Sequence, residues 1–239
     1  MAVSPASVVL LLHGFTSDPR SVKPWAEALR QAGCKVHTPT LPGHGTTWQD
    51  MSATTWPQWY SAAERALLEA ASEGPVTVAG LSMGGTLSLA LAQRQPRLVR
   101  ALMLVNPAVT VADPLAPLAP LLRLVIRSVG SIASDIAQPG VSEHAYPRTP
   151  VASVAELLGL TRSVRSRLGR VTCPVWLATS AQDHVVRPSD SDLIAERVGS
   201  ERVERLALTR SFHVATLDYD ASLIAEQSLR FLRSLASPR

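Results

Sequence analysis

Along most of this chain, short apolar runs alternate with stretches of helical period. Six runs lack the polar alternation of a half-exposed strand: Val8–Leu12, Lys35–Thr38, Val76–Ala79, Ala101–Val105, Val175–Thr179 and Val203–Leu208. Runs of that kind are strands buried on both faces, which belong to parallel sheets covered by helices. Helical periods lie near Pro24–Gln31, Gln58–Ala71, Gly84–Gln95, Pro188–Val198 and Leu223–Leu235. The alternation predicts an α/β fold with a mainly parallel central sheet, helices on both faces and right-handed crossovers.

One stretch interrupts the rhythm. From Asn106 to Arg170 there is no strong strand, and the stretch opens with prolines at 107, 114, 117 and 120. It is expected to be a small cap, inserted at about 107–170 over the carboxyl edge of the sheet. The rest of the 239 residues suit a single domain spanning 1–239, since one α/β core commonly serves roughly 200–250 residues. Within the cap, Leu118, Leu121, Leu122, Val125 and Val129 fall at helical spacing, with Arg123 and Arg127 on another face. This stripe either packs on the domain below or lines the substrate entrance and touches lipid.

Composition changes the picture little. Hydrophobic residues make up 46% and charged residues 18%, the balance of a globular protein. No run reaches the ~18 apolar residues of a spanning helix, because the best candidate, Ala101–Ile126, carries Asn106, Asp113, Arg123 and four prolines. The first residues show no basic region and no cleavage site, so the chain is read as cytoplasmic. Cys34 and Cys173 are expected to be free thiols, which are common in that compartment. The net charge of +4 comes almost wholly from scattered arginines without a basic run, which argues against nucleic acid as a partner. A solvated surface explains them; transient contact with anionic lipid surfaces is the sharper reading. The six histidines show no metal-ligand spacing, so no metal and no cofactor are expected.

The chemistry is concentrated in Gly80-Leu81-Ser82-Met83-Gly84-Gly85, between the strand ending at Ala79 and an Ala/Leu-rich helical run. A serine in this G-x-S-x-G pattern sits on a sharp strand-to-helix turn, and the glycines let the chain turn and substrate approach. Serine needs a base and an acid to orient that base. Beyond the cap stand His184 and His213. His184 adjoins the best acid and cannot easily turn back onto it, whereas His213 follows the last strand at the carboxyl edge. Of the aspartates between Ser82 and His213, Asp113 and Asp135 fall in the cap, and helix capping accounts for Asp190 and Asp192. Asp183, just past Val175–Thr179, is left. The expected triad is therefore Ser82, Asp183 and His213. The expected oxyanion hole is the backbone N–H of Met83 and of Phe15, the latter in His13-Gly14-Phe15-Thr16, where a plain core role for its ring remains compatible.

Those segments, with Pro42-Gly43-His44-Gly45-Thr46, Gln182-Asp183-His184-Val185-Val186 and Phe212-His213-Val214-Ala215-Thr216-Leu217-Asp218-Tyr219-Asp220, resemble the bacterial monoacylglycerol lipases and related thermostable carboxylesterases of the α/β-hydrolase superfamily. The resemblance runs along nearly the whole chain. It implies the α/β-hydrolase fold and hydrolysis of a monoacylglycerol to glycerol and fatty acid under a cap with an apolar acyl tunnel. By the same resemblance Glu143 contacts the glycerol hydroxyls and Ile132 lines the tunnel; a surface ion pair with Arg148 is the other reading of Glu143. The implied partner is a small lipid ester, and the chain is expected to act as a monomer or weak homodimer. The runner-up is a general short-chain carboxylesterase. A non-enzymatic ligand-binding protein of the same fold would not need the full set of polar residues.

Overall fold

The computed structural model describes residues 7–131 and 134–235. All six expected strands pair into one parallel sheet. They are β1 (Val8–Leu12), β2 (Lys35–His37), β3 (Val76–Leu81), β4 (Val99–Val105), β7 (Val175–Ser180) and β8 (Val203–Leu208), in the order β2-β1-β3-β4-β7-β8. Alternate residues of a strand face opposite sides. Leu10 and Leu12 of β1 therefore enter one apolar layer with Trp59, Leu87, Leu104 and Leu177, while Val9 and Leu11 enter the other with Trp25, Met103, Trp176 and Phe231. The edge strands depart from the expectation of two buried faces: most of β2 and β8 is half-buried or exposed, because each has a neighbour on one side only.

Five flanking helices occupy the expected places: α1 (Lys23–Gln31), α3 (Trp56–Ala71), α4 (Met83–Arg94), α7 (Pro188–Arg197) and α8 (Ala221–Ser234). The short α2 (Trp48–Ser52) is additional; it is capped by the Thr47 hydroxyl, which accepts from the Asp50 N–H. Both ends of the described chain emerge at the amino edge of the sheet. Ser7 C=O accepts from Lys35 N–H at the start of β2, and Leu235 C=O accepts from the Arg100 guanidinium at the start of β4.

Between β4 and β7 the chain contains α5 (Ala119–Leu122), an antiparallel pair β5 (Ser128–Gly130) and β6 (Arg148–Pro150), and a long helix α6 (Val151–Arg165). The sequence pattern did not predict α6. Its Leu160 and Val164, with the following Leu168, belong to the same buried layer as Trp59 and Leu87. The expected apolar stripe is not a continuous helix. Only Leu122 packs against a small cluster of Ala116, Ala119, Val151 and Leu158. Leu121 and Val125 are 67% and 80% exposed, and Leu115, Leu118, Leu124, Ile126 and Val129 join them at the surface.

Candidate active site

β3 delivers Ser82 to the carboxyl edge at a turn so tight that its backbone lies at φ 54°, ψ −119°, a conformation L-residues avoid. Crowding explains the flanking glycines. A Cβ on Gly80 would lie 2.3 Å from the carbonyl carbon of Gly84, and one on Gly84 would lie 2.2 Å from Leu12 O, so the elbow and the end of β1 can approach only because both residues lack side chains. Ser82 N–H donates to Val105 O at 3.0 Å, tying the turn to β4. The first turn of α4 starts at Met83, with its unpaired N–H groups and positive dipole end at the serine.

Asp183 and His213 meet across the carboxyl ends of β7 and β8. His213 Nδ1 lies 2.7 Å from Asp183 Oδ2, and both side chains are almost wholly buried. The other carboxylate oxygen of Asp183 accepts from Val185 N–H at 2.9 Å and Val186 N–H at 2.7 Å. With its acceptor role thus fixed, Asp183 can accept a hydrogen bond from His213 Nδ1–H, the arrangement that turns the Nε2 lone pair toward a substrate. Ser82 and His213 line one cavity of about 300 Å³. Phe15 and Met83 line the same cavity, as do the apolar Val111, Val129, Leu157 and Val186. The Phe15 ring meanwhile packs edge-on against Trp59 at 6.0 Å, so its core role and its place at the cavity coexist.

Glu143 also faces this cavity. Its Oε2 accepts from Ser134 N–H at 3.3 Å, and burial pushes its carboxyl above the usual range, partly offset by the Ser17 hydroxyl and the Ser134 amide. Arg148, the alternative ion-pair partner, donates instead to Ser128 Oγ and Ser128 O. Tyr146 anchors the segment: its hydroxyl donates to Gly43 O and accepts from Thr46 N–H, and its own N–H donates to Thr16 O. Ile132 lies outside the described residues. Among the described residues no cluster of His, Cys, Asp or Glu could hold a metal ion.

Several polar residues outside the expected triad take roles that the sequence did not assign them. Asn106, at φ 45° after β4, donates through Nδ2 to Ser180 Oγ and His213 O and accepts at Oδ1 from Ser180 N–H. Asp190 is not a helix cap. Its oxygens accept from Val109 N–H, Thr110 N–H and Thr110 Oγ1–H, holding the wall segment that begins at Ala108. Asp192 pairs with Arg205 at the surface. Asp218 accepts from Ala137, Gln138, Phe212 and Tyr219 N–H groups. His184 turns away from Asp183 and bonds Asp135. Asn106 carried a local signal, since its type tolerates a left-handed backbone at a strand end, and His184 and Asp218 lie in segments that carry the family resemblance.

A family model described as serine aminopeptidase, S33 (Hydrolase_4), matches residues 3–220. The chain is 41% identical over 225 residues to the thermostable monoacylglycerol lipase of Bacillus sp. (strain H-257), covering 93% of this chain and 89% of that one. It is 25% identical over 237 residues to a carboxylesterase of Bacillus subtilis (strain 168), covering 95% and 92%. Among solved structures, one described with the metagenome-derived lipolytic enzymes LipS and LipT superimposes with a TM-score of 0.93 at 37% identity, over 98% of this chain and 96% of that one. The architecture is thus that of the α/β-hydrolase fold.

Proposed function

The chain belongs to the Hydrolase_4 family, and on that premise we propose that it is a serine ester hydrolase that cleaves monoacylglycerols to glycerol and fatty acid. The observation that carries the reading is a histidine paired with Asp183 at 2.7 Å that lines one cavity with a serine held at positive φ. In the proposed reaction, Ser82 Oγ attacks the ester carbonyl while His213 Nε2 takes its proton. Asp183 holds the required tautomer and stabilises the imidazolium. Met83 and Phe15 N–H groups receive the negative charge of the tetrahedral oxygen. Collapse expels glycerol, which carries off the proton from His213 and leaves an acyl-serine. Water then attacks the acyl carbon while its proton passes to His213, and collapse of the second tetrahedral intermediate breaks the acyl–Oγ bond, returns that proton from His213 to Ser82 Oγ and frees the fatty acid.

The family description speaks of a peptidase, yet the relative at 41% identity is named a monoacylglycerol lipase. An apolar cavity wall of Val111, Val129, Leu157 and Val186 suits an acyl chain better than a peptide, which would need backbone partners. Glu143 supplies the polar end of the cavity, and a carboxylate there can accept from two glycerol hydroxyls. The insertion expected at about 107–170 acts in this reading as the cap. Its exposed leucine-rich face continues into the cavity through Val129, which suits transient contact with a lipid surface where the substrate resides. On this reading the protein works in the cytoplasm as a monomer or weak homodimer; Cys34 and Cys173 are free thiols.

The deciding experiment compares hydrolysis of monoacylglycerols with that of methyl or nitrophenyl esters of the same acyl chains, in the native protein and in Glu143→Ala. Loss of a charge-assisted contact costs about 1–3 kcal/mol. Glu143→Ala is therefore expected to slow the monoacylglycerol roughly tenfold to a hundredfold and to spare the simple esters. Equal losses on both, or on neither, would favour a general carboxylesterase, the activity named for the 25% identical relative.

A further inference from the structure

Asp183 and His213 stand on separate loops, after β7 and after β8, and one residue bonds both loops. Asp135, in the insertion, accepts at Oδ2 from His184 N–H and from His213 N–H, each at 3.1 Å. Its Oδ1 lies 2.8 Å from His184 Nδ1, and its backbone C=O accepts from Val214 N–H at 3.0 Å. The residue after the acid and the base itself thus share one carboxylate oxygen. The side chain of Asp135 is only 16% exposed and its bond to His213 N–H is partly buried, while the His184 ring on its other side is open to solvent. The two residues that follow Ile136 are held in turn: Asp218 accepts from Ala137 and Gln138 N–H and, on the histidine loop, from Phe212 and Tyr219 N–H.

We propose that Asp135 is a positioning residue that sets the distance between the acid loop and the base loop, so that the insertion both walls the cavity and aligns His213 on Ser82. The inference rests on the triad reading given above. Asp135 touches neither substrate nor the reacting atoms; it acts through the backbone of His213. Without its carboxylate the His213 and His184 N–H groups lose their acceptor, and the two loops keep the Asn106 and Ser180 bonds at their bases and the Asp183–His213 pair itself, which leaves the tips room to shift. A misplacement of about 1 Å costs on the order of a hundredfold in rate. Once bound, substrate makes the same contacts with the cavity, so the loss falls on the chemical step.

The test measures kcat and KM on a nitrophenyl ester for Asp135→Ala, Asp135→Ser and Asp135→Asn, together with thermal unfolding. Asp135→Ala is expected to lower kcat about tenfold to a hundredfold with KM within about twofold. Asp135→Asn keeps an oxygen that can accept from both N–H groups and is expected to restore most of kcat. Asp135→Ser, too short to span both, should resemble the alanine variant and carries the comparison if alanine prevents folding. A kcat within about twofold of native in the alanine or serine variant overturns the proposal, as does an asparagine variant no better than alanine. Ser82→Ala in the same assay keeps the two readings apart. Activity surviving there removes the nucleophile, whereas an inactive Ser82→Ala beside a native-like Asp135→Ala removes only the positioning role.

Discussion

Ser82 holds a strained backbone angle at a turn that Gly80 and Gly84 allow to pack against Leu12 and that its own N–H ties to Val105 O. Ser82→Ala is expected to fold, since alanine adopts the same backbone at no greater strain, and to lose on the order of 10⁶ in kcat, because a nucleophile and its base act as a unit. Asp183→Asn presents His213 with the wrong partner at Nδ1 and is expected to cost roughly 10⁴ in kcat with a small change in melting temperature. Asp190 behaves differently. Sequence position alone makes it a helix cap; in the structure it is buried and accepts three hydrogen bonds from residues 109 and 110. Asp190→Ala is therefore expected to destabilise by about 1–3 kcal/mol, read as a lower urea midpoint, because it leaves buried donors unpaired. The triad candidates were visible as residue types in the right order beside strand ends. Asp135 was not, because its role arises from contacts 49 and 78 residues away that no local pattern records.

Strands were the most legible elements, since a strand covered on both faces must be largely apolar: β1 is so throughout, and β3, β4 and β7 are broken only by Thr77, Arg100, Thr179 and Ser180. The helix α6 was missed because its buried side includes Ser153 and Thr161 and it follows a proline-rich stretch, which together blur its 3.6-residue period. Proline also broke the stripe at 118–129. With Pro117 and Pro120 in its first turns, the segment makes only the short α5 and turns its leucines outward. If that face meets lipid, Leu121→Asp with Val125→Asp should reduce sedimentation with anionic vesicles several-fold while leaving hydrolysis of a soluble nitrophenyl ester unchanged. Unaltered vesicle binding would assign the face another purpose.

The whole molecule places two neutral histidines beneath its site. His13 Nε2 accepts from Leu41 N–H, so the ring proton sits on Nδ1 and donates to Gly14 O; His44 Nδ1 donates likewise to Pro42 O, and the two rings lie 5.0 Å apart. Burial brings His13 down to about 4 and His44, with His13 beside it, to about 3. Both folded values lie below the ordinary ~6.5, so on acidification the unfolded chain binds protons first. The stability these rings contribute is complete above about pH 6.5 and drains away as pH falls toward 4, by about 3 kcal/mol for His13 alone. The urea midpoint should fall between pH 7 and 5, and His44→Phe should flatten that slope. An equal slope in the variant would move the acid sensitivity elsewhere. The opposite edge of the sheet carries a practical corollary. Since Ser7 and Leu235 both lie at the amino edge, away from Ser82, anchoring the protein to a bead or a fusion partner through either end should point its mouth toward the medium, and immobilised material should keep the turnover of free protein.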